Sequence, residues 1–407
     1  MKDIQIKKLI QAEKKRQKKA INLIASENYV SRDVLTALGS ELTNKYAEGY
    51  SELRYYGGNE NIDKLEELCK QRALKLFKLD SNDWHVNVQP LSGSPANLAV
   101  YLALVPFKEK IMGMSLDQGG HLTHGHKVSA TGKFWTQIPY GVDKNTEILN
   151  YDDLKIIALR EKPNIIVAGF TAYPRFVDFK KFHEIADASG ALLMVDMSHF
   201  AGLVAGGEYP TPFQYADIVT TTTHKTLRGP RSALIFSKKN KNDSTGKPLD
   251  LDKKIDKAVF PGLQGGPHAN QIAAVAVTLK EANSPAFKKY AKQVKLNAKI
   301  LAEELKKYGW KIISGGTDSH LILIDTWMSG KKNEKGAGAV AGKIASDALE
   351  KEGVIVNKNA IPFDARPPTD PSGIRLGTAA ETTRGKKEKD FMIIAKRIDR
   401  ILKGVKN

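Results

Sequence analysis

The sequence lacks a second cysteine and any long apolar run. Its single cysteine among 407 residues, Cys69, cannot form an intrachain disulfide. Cys69 lies in the helical pattern "IDKLEELCKQRALKLF", which favours a core position over a nucleophilic role. No apolar run approaches the roughly 20 residues that cross a bilayer, and we find no repeat or low-complexity tract. These absences point to a globular protein without a membrane span or a disulfide framework.

Acidic residues are also scarce, since 45 Asp and Glu face 63 Lys and Arg for a net charge of +18. Such an excess favours contact with phosphates. The basic residues are nevertheless spread along the chain, interleaved with acids and without a recognition motif, so specific nucleic-acid binding is not predicted. The Lys-rich amino-terminal sequence has no apolar signal-peptide core, which leads us to expect a cytoplasmic protein.

Residues 85–236 alternate short apolar runs with helical patterns. This alternation predicts an α/β fold with a mostly parallel sheet, whose ligands bind at the carboxyl ends of the strands. After "FPGLQGGPHAN" a long helical tract leads to the strand patterns "SHLILIDT", "GVIVNKN" and "GIRLGTAA", which predict a smaller α+β domain. We therefore predict a helical arm over 1–20, a large domain over 21–279 and a C-terminal domain over 280–407.

A Ser-Gly-Ser turn follows the first predicted strand. In "LSGSPAN" the turn of Ser92, Gly93 and Ser94 precedes a helix, so its hydroxyl and N–H groups could bind an anion at the helix N-terminus. A plain turn is the alternative interpretation.

A carboxylate ends another predicted strand. Asp196 in "LLMVDMSHF" emerges from an apolar run, with His199 three residues later, and a buried carboxylate needs a cation or hydrogen-bond donors. A protonated ring nitrogen of a ligand and the neighbouring backbone are both candidate partners.

Three histidines, His121, His124 and His126, lie close together in "QGGHLTHGHK". The cluster could suggest a metal site, but it lacks the carboxylate of a helical His-Glu-x-x-His motif. The glycines indicate a loop in which the backbone approaches a ligand closely, so an imidazole stacked on a flat ring fits better. No metal is predicted.

One lysine follows the β-branched run of "TTTTHKTLRGPR". Lys225 is predicted at the carboxyl end of a buried strand, where its amine could form a Schiff base, and Arg228 and Arg231 would ease its deprotonation. A phosphate loop, a stacking ring, a carboxylate for a pyridinium and a Schiff-base lysine are the contacts that pyridoxal 5′-phosphate requires. A salt-bridged structural lysine is the alternative.

From "NLIASEN" to "GIRLGTAAETTRG" the sequence resembles the serine hydroxymethyltransferase family. "NKYAEGY", "RYYGG", "GGHLTHG", "VDMSHFAGL", "TTTTHKTLRGPR" and "FPGLQGGP" match the family's motifs in order. The resemblance implies a fold-type-I pyridoxal phosphate enzyme, with an aspartate aminotransferase-like large domain. It also implies a homodimer or larger homo-oligomer in which both subunits build each active site.

The resemblance implies roles in cofactor binding. Lys225 would hold the cofactor as an internal aldimine, Asp196 would pair with its ring nitrogen, His121 would stack on the ring and His199 would contact its 3′-oxygen region. His224 would shape the reaction specificity. The phosphate would be bound by Ser92, Gly93 and Ser94, with Tyr46, Gly265 and Gly266 of the partner subunit.

The resemblance also assigns the substrate contacts. Arg375 would bind the carboxylate of the amino acid bidentately, as the planar guanidinium allows, assisted by Ser26 and Tyr56. Glu48 would be the acid–base group near the substrate hydroxyl and the folate. Leu116, Gly120, Leu122 and Asn359 would line the tetrahydrofolate site.

Three stretches depart from the commonest family pattern. Ser51-Glu52 stands where Pro-Gly is frequent, and Ser232 stands where a second glycine is common. Arg366, Pro367 and Pro368 replace the usual Ser-Pro-Phe, which changes the predicted folate wall and leaves the cofactor contacts intact.

The resemblance implies the reversible transfer of the hydroxymethyl group of L-serine to tetrahydrofolate, which gives glycine and 5,10-methylenetetrahydrofolate in one-carbon metabolism and amino-acid biosynthesis. A folate-independent threonine-type aldolase is the close alternative, because it uses the same cofactor without a folate wall. An RNA-binding protein on the same scaffold is an alternative of another class, which the complete set of Lys225, Asp196 and Arg375 disfavours.

Overall fold

The computed structural model describes residues 1–243 and 245–405. The strands are β1 Ile21–Asn22, β2 Gly49–Tyr50, β3 Leu53–Arg54, β4 Trp84–Asn87, β5 Lys110–Met114, β6 Thr136–Tyr140, β7 Ile165–Gly169, β8 Leu192–Asp196, β9 Ile218–Thr222, β10 Ala233–Lys238, β11 Lys311–Ile312, β12 Leu321–Asp325, β13 Val354–Ile355, β14 Asn357–Asn359 and β15 Gly373–Gly377.

The α-helices alternate with these strands along most of the chain. They are α1 Ile4–Lys19, α2 Arg32–Leu38, α3 Glu60–Phe77, α4 Gly93–Leu104, α5 Ala130–Phe134, α6 Tyr151–Glu161, α7 Phe179–Ser189, α8 Ala201–Gly206, α9 Leu251–Lys257, α10 Ala269–Ala282, α11 Pro285–Lys307, α12 Gly342–Lys351, α13 Ala379–Thr383 and α14 Glu388–Lys403. Short 3-10 segments occur at Glu41–Asn44, Leu116–Gln118, Ile313–Gly315 and Met328–Gly330, and a π segment at Ala258–Leu263.

The contacts divide the chain into a large unit, Asn28–Lys292, and a small unit formed by Met1–Glu27 with the residues from Gln293 onward. These boundaries differ from the predicted ones at 20/21 and 279/280. Residues 21–27 join the small unit because β1 pairs in parallel with β13 and Leu23 packs in the small unit's core. Residues 406 and 407 of the predicted C-terminal domain lie outside the described residues.

A seven-stranded sheet in the order β4-β10-β9-β8-β7-β5-β6 forms the centre of the large unit. Strand β10 pairs antiparallel with both β4 and β9, and every other pair in this sheet is parallel, so the predicted α/β fold with a mostly parallel sheet is confirmed. Strands β7 and β9 are buried at every position, as expected where helices cover both faces of a sheet. Strand β6 was not predicted, because its sequence "TQIPY" contains a proline, which edge strands tolerate.

Helix α7 illustrates how the sequence determines where a helix on the sheet begins and ends and which face it buries. The side chain of Asp178 caps its first turn by accepting a hydrogen bond from Lys181 N, and Gly190 ends the helix with φ 73°. Its apolar face buries Phe182 and Ile185. The other residues of the helix are mostly polar and face solvent, so the helix is amphipathic.

The small unit contains a four-stranded antiparallel sheet in the order β11-β12-β15-β14. Its core includes Leu301, Ile322, Ile374 and Phe391 from α11, the two central strands and α14. This arrangement agrees with the predicted α+β domain. In the described part of the chain, every helix is too short or too polar to cross a membrane. Cys69 is fully buried in α3, and burial raises the pKa of its thiol.

Candidate active site

Two neighbouring strands of the large unit carry the central groups of the candidate site. β8 ends at Asp196, and β9 ends three residues before Lys225. The strands pair in parallel with Asp196 opposite Thr220, so both ends lie at the same edge of the sheet. The carboxylate and the amine therefore project from adjacent strand ends, where ligands of such sheets bind.

The Asp196 carboxylate is buried and is bound by groups from a loop, a helix and its own backbone. His124 Nε2 lies 3.0 Å and Asn97 Nδ2 2.9 Å from its Oδ2, while Ser198 N donates to Oδ1 at 3.1 Å. Burial alone would raise the pKa of Asp196, but the hydrogen bond and charge of His124, with Ser198 and Asn97, hold it well below its usual value. The side chain is therefore an ionised, oriented carboxylate.

Asn97 of helix α4 connects Asp196 to His121. Its Nδ2 donates both to Asp196 Oδ2 and, at 2.9 Å, to Thr123 Oγ1, while Thr220 Oγ1 donates to its Oδ1 at 2.8 Å. Thr123 Oγ1 lies 2.7 Å from His121 Nδ1. This chain of bonds fixes the orientation of the His121 ring relative to Asp196.

The loop after β9 is held from several sides. Lys225 Nζ donates to Thr222 Oγ1 at 3.1 Å, and Asn28 Nδ2 donates to Lys225 O at 2.9 Å. Arg228 has φ 62° and its guanidinium lies 4.4 Å from the ring centroid of Tyr290. Lys225 thus projects from a backbone turn that hydrogen bonds hold in place. The guanidinium of Arg228 makes a cation–π contact with the Tyr290 ring.

Two further predicted histidines lie in this part of the large unit. His224 is largely buried, and its Nδ1 has no hydrogen-bond partner among the described residues. Burial, with the charges of Lys225 and Arg231, lowers the pKa of His224 to about 3. His199 is 3% exposed, and its carbonyl accepts a hydrogen bond from Thr226 Oγ1 at 2.9 Å.

The Ser-Gly-Ser turn opens helix α4 beside the end of β9. Ser92 is the N-cap residue and makes no side-chain capping bond, and Gly93 and Ser94 begin the helix. A Cβ at Gly93 would lie 2.6 Å from Thr222 Cγ2, so only glycine allows this close approach. The turn therefore offers first-turn N–H groups and hydroxyls next to the Lys225 loop.

A second group of predicted residues forms a separate cluster, the Tyr46 cluster, which consists of Tyr46, Glu48, Tyr56, Gly265 and Gly266. Tyr46 OH donates to Glu48 Oε1 at 3.3 Å, and the Tyr46 and Tyr56 rings meet edge to face at 5.1 Å. Positions Gly265 and Gly266 pack against Glu48 and the Tyr46 ring. The rings are substantially exposed, 55% for Tyr46 and 49% for Tyr56. The structure thus groups the residues that the resemblance assigns to the partner's site, together with Glu48 and Tyr56.

The predicted folate residues of the large unit lie after β5. Gly120 has no room for a side chain, since a Cβ would lie 1.9 Å from Met114 O. Its carbonyl accepts a hydrogen bond from Thr171 Oγ1 at 2.7 Å. Leu122 is 43% exposed and Leu116 is half-buried, so both offer apolar surface on this loop.

Arg375 and Ser26 both belong to the small unit. Arg375 lies on β15 and is 9% exposed, its Nε donates to Asn357 Oδ1 at 3.1 Å, and burial lowers its pKa to about 10. The segment of Ser26 runs beside the same strand, because Gly377 N donates to Leu23 O at 2.7 Å. A carboxylate bound to Arg375 would offset the cost of burying its charge.

The remaining predicted folate residues lie at the end of β14 and in the hydrogen-bonded loop that follows it in the small unit. Asn359 Nδ2 donates to Ala360 O at 2.7 Å. The Arg366 guanidinium lies 4.4 Å from the Trp327 ring centroid and forms an ion pair with Asp370. Pro367 and Pro368 are exposed. The Arg366 charge is thus already paired within the loop.

The sequence did not single out Asn97 and Asn28, and it suggested a different role for His124. An asparagine in a helix or a loop gives no local signal of its distant partner. His124 was noticed only in the histidine cluster, yet its ring contacts Asp196. Within residues 1–243 and 245–405 no group of three or more metal-ligating side chains is placed to hold a metal.

Comparisons with known proteins point to a single family. A family model described as serine hydroxymethyltransferase matches residues 1–398. A serine hydroxymethyltransferase of Desulfotalea psychrophila is 52% identical over 400 residues, 98% of this chain and 88% of the relative. A probable serine hydroxymethyltransferase of Rickettsia bellii is 52% identical over 98% of this chain and 90% of its own length. A serine hydroxymethyltransferase of Koribacter versatilis is 52% identical over 96% of this chain and 86% of its own length. These names give no support to the aldolase or the RNA-binding alternative.

Proposed function

This chain belongs to the serine hydroxymethyltransferase family, and on that premise we propose which of its residues carry out the family's reaction. The protein is an enzyme that transfers the hydroxymethyl group of L-serine reversibly to tetrahydrofolate, giving glycine and 5,10-methylenetetrahydrofolate. It uses pyridoxal 5′-phosphate as cofactor and tetrahydrofolate as co-substrate. The predicted family and activity are thereby confirmed. The roles of individual residues are our proposal.

The strand-end groups fit pyridoxal phosphate, and the proposal depends on one observation, the buried carboxylate of Asp196 with its hydrogen-bond partners His124, Asn97 and Ser198. Asp196 stays charged in a buried position, which suits a protonated pyridine nitrogen. The turn that begins at Ser92 would hold the phosphate, His121 would stack on the ring, His199 would lie beside its 3′-oxygen region, and Lys225 would hold the aldehyde end of the cofactor. When bound, the cofactor supplies an electron sink that makes cleavage of the Cα–Cβ bond of serine possible.

Arg375 binds the carboxylate of serine, with Ser26 and Tyr56 assisting. Its buried guanidinium offers paired N–H groups to a planar carboxylate, and this geometry orients the amino acid. Fixing the carboxylate would set which bond of serine is presented to the cofactor. Orientation of this kind lowers the barrier without any proton transfer by the arginine.

Glu48 carries the proton that moves during transfer. Its carboxylate accepts a hydrogen bond from the Tyr46 hydroxyl, whereas Glu52 on the same hairpin makes no side-chain hydrogen bond or ion pair among the described residues. Glu48 is therefore better placed than Glu52 to act as the acid–base group. Burial, with the charges of Lys225 and Arg231, lowers the pKa of His224 and favours its neutral form, which suits a residue that shapes the site.

Tetrahydrofolate lies against Leu116, Gly120, Leu122 and Asn359. The exposed leucine and the tightly packed glycine support this part of the assignment. Arg366 has its charge paired with Asp370, so we assign it, with Pro367 and Pro368, to the shape of the loop. Where Ser-Pro-Phe is common, this loop therefore has Arg366, Pro367 and Pro368, with an ion pair from Arg366 to Asp370 inside it.

The chain forms a homodimer in which the Tyr46 cluster completes the partner's site. Two observations support this proposal. The rings of Tyr46 and Tyr56 are substantially exposed, and helix α1 leaves Ile6, Leu9 and Ile10 exposed on one side. Exposed apolar surface of this kind marks an interaction surface.

Two expectations stay predictions: a cytoplasmic location and the lack of specific nucleic-acid binding.

Mixing two inactive variants tests the shared site. Lys225→Gln removes the cofactor lysine, and Glu48→Gln removes the proposed acid–base group. When the two are unfolded together and refolded at equal concentration, heterodimers should contain one native site each, so about a quarter of wild-type activity should return. If Glu48 serves the site of its own subunit, the mixture should stay as inactive as its components. Light scattering of the wild-type protein measures the dimer directly.

A further inference from the structure

We propose that Arg54 is a positioning residue for Glu48, which it holds in place by binding the backbone carbonyls on both sides of it. The inference depends on the proposed acid–base role of Glu48. Arg54 touches neither the cofactor nor the substrates in this proposal. Its effect on the reaction passes entirely through the loop that presents Glu48.

Arg54 binds the Glu48 loop through one nitrogen. Its Nη1 donates to Ala47 O at 2.9 Å and to Gly49 O at 2.6 Å, the carbonyls immediately before and after Glu48. Strands β2 and β3 add a third restraint, because Gly49 pairs with Arg54 and Tyr55 N donates to Glu48 O at 3.0 Å. The backbone at Glu48 is thus bound at three successive carbonyls.

The other guanidinium nitrogens are anchored in the protein interior. Arg54 Nη2 donates to Glu66 Oε2 at 2.6 Å and Nε donates to Asp63 Oδ1 at 2.8 Å. The Arg54 side chain is 4% exposed and that of Glu66 is fully buried. Both carboxylates come from helix α3, so the guanidinium connects a rigid helix to the Glu48 loop.

Glu66 and the Glu48 loop are also connected by hydrogen bonds to the backbone turn at Gly265. Gln89 Nε2 donates to Gly49 O at 2.9 Å and to Glu66 Oε1 at 3.0 Å. Gln264, next to Gly265, donates to Gln89 O at 2.9 Å and accepts from Leu91 N at 3.0 Å. One network therefore supports both backbone segments of the cluster.

A lysine cannot replace this arginine. The planar guanidinium of Arg54 donates in different directions to four acceptors, two backbone carbonyls and two carboxylates. The ammonium group of a lysine is compact and sits on a flexible chain, so it cannot reach all four. Arg54→Lys keeps the buried positive charge beside Glu66 and loses the paired contacts to the carbonyls of Ala47 and Gly49. A displacement of the acid–base group by about 1 Å can cost about 100-fold in rate, so we expect kcat for folate-dependent transfer to fall about 10- to 100-fold.

The readouts separate positioning from a loss of fold. In Arg54→Lys the KM for serine and the absorption of the bound cofactor should stay as in wild type. Arg72 gives a matched control, because this partly buried arginine of α3 also donates to a backbone carbonyl, Ala276 O at 2.8 Å. Arg72→Lys should change kcat less than about twofold, since the Ala276 contact lies outside the Glu48 loop.

If Arg54→Lys does not fold, a charge-balanced pair replaces it. Arg54→Met with Glu66→Gln removes the fully buried carboxylate together with its cation, and Asp63, the other carboxylate bound by Arg54, keeps 25% exposure to solvent. The new amide oxygen at position 66 can still accept from Gln89. This double variant should show the same loss in kcat as expected for Arg54→Lys. A folded protein with wild-type kcat would refute the inference.

A double-mutant cycle of the loaded enzyme decides the matter. If Arg54 acts through Glu48, the combined Arg54→Lys/Glu48→Gln variant should lose no more than about threefold beyond Glu48→Gln alone, because effects of residues that act together are not additive. Multiplying losses would show that Arg54 acts elsewhere and overturn the inference, while the large effect of Glu48→Gln would leave the acid–base role intact. An unchanged rate in Glu48→Gln would refute that role itself.

Discussion

Asp196→Asn tests the buried carboxylate with little change in shape. Asparagine has nearly the same volume and can still accept from His124 Nε2 at 3.0 Å or Ser198 N at 3.1 Å through its one remaining oxygen. The variant loses its negative charge and replaces the other oxygen by an NH₂ group. That group cannot accept a hydrogen bond from a protonated pyridine nitrogen.

The magnitude follows from the difference between charged and neutral hydrogen bonds. A hydrogen bond to an ionised group contributes about 1.5–3 kcal/mol and a neutral one about 0.5–1.5 kcal/mol. The remaining amide oxygen can give the cofactor only a neutral hydrogen bond in place of the charged one, so the loss is about 1–2 kcal/mol, which corresponds to about 5- to 30-fold weaker binding. Because Asp196 is buried, solvent does not compensate for the lost contact.

The assay is an equilibrium titration of cofactor-depleted protein with pyridoxal phosphate, followed by absorbance. Asp217→Asn provides the control. Asp217 is 1% exposed and immediately precedes β9, at the opposite end of that strand from Lys225, where its Oδ2 accepts from Leu193 N at 3.0 Å. This variant should lower the free energy of unfolding and leave cofactor affinity unchanged. Equal affinity in Asp196→Asn and wild type would refute the proposed pairing.

Three further predictions address other residues. Arg375→Lys should raise the KM for serine about 10- to 100-fold, from the loss of a charge-assisted pair, and leave cofactor binding unchanged in titrations. Because the folded-state pKa of His224 is lowered to about 3, the wild-type protein should lose stability as pH falls below the unfolded value of about 6.5, and His224→Asn should lose less in pH-dependent denaturation. Glu52 has φ 65°, so Glu52→Gly should raise the free energy of unfolding by about 0.5–1 kcal/mol, since the left-handed strain of about 1–2 kcal/mol is partly offset by glycine's unfolded freedom. A lower unfolding midpoint in Glu52→Gly would contradict this expectation.

The structure shows how the backbone accommodates two departures from the family pattern, Ser51-Glu52 and Ser232. Positive φ at the second residue of the Ser51-Glu52 turn explains why Pro-Gly suits these positions elsewhere. Ser232 is buried and its hydroxyl donates to Pro90 O at 3.2 Å, so the additional side chain has a hydrogen-bond partner. The sequence alone could identify these substitutions but could not say how the backbone accommodates them.

The strand ends were predictable because their signals are local. A β-branched run before Lys225 and an apolar run before Asp196 identify buried strands, and parallel strands bring their carboxyl ends to one edge. Of the hydrogen bonds that orient Asp196, the one from the neighbouring backbone, Ser198 N, was among the expected partners, but the two from side chains were not predictable. They come from Asn97 in helix α4 and His124 in a loop, and no short pattern connects these residues.

The support of Glu48 was hidden for a related reason. Glu66 is fully buried in helix α3, yet a glutamate among charged helix residues is typical of a solvated face. Its pairing with Arg54 depends on how the hairpin of β2 and β3 packs against the helix. The pairing of β1 with β13 likewise joins distant parts of the chain, and no short pattern in the sequence connects them.

The position of the cofactor lysine is the most direct test of the candidate site. The loaded protein is reduced with borohydride, digested and mapped by mass spectrometry. If the strand-end groups hold pyridoxal phosphate as proposed, the pyridoxyl group should be found on Lys225, and the Lys225→Gln protein should retain none. Attachment to a different lysine in the wild-type protein would contradict the assignment of this site.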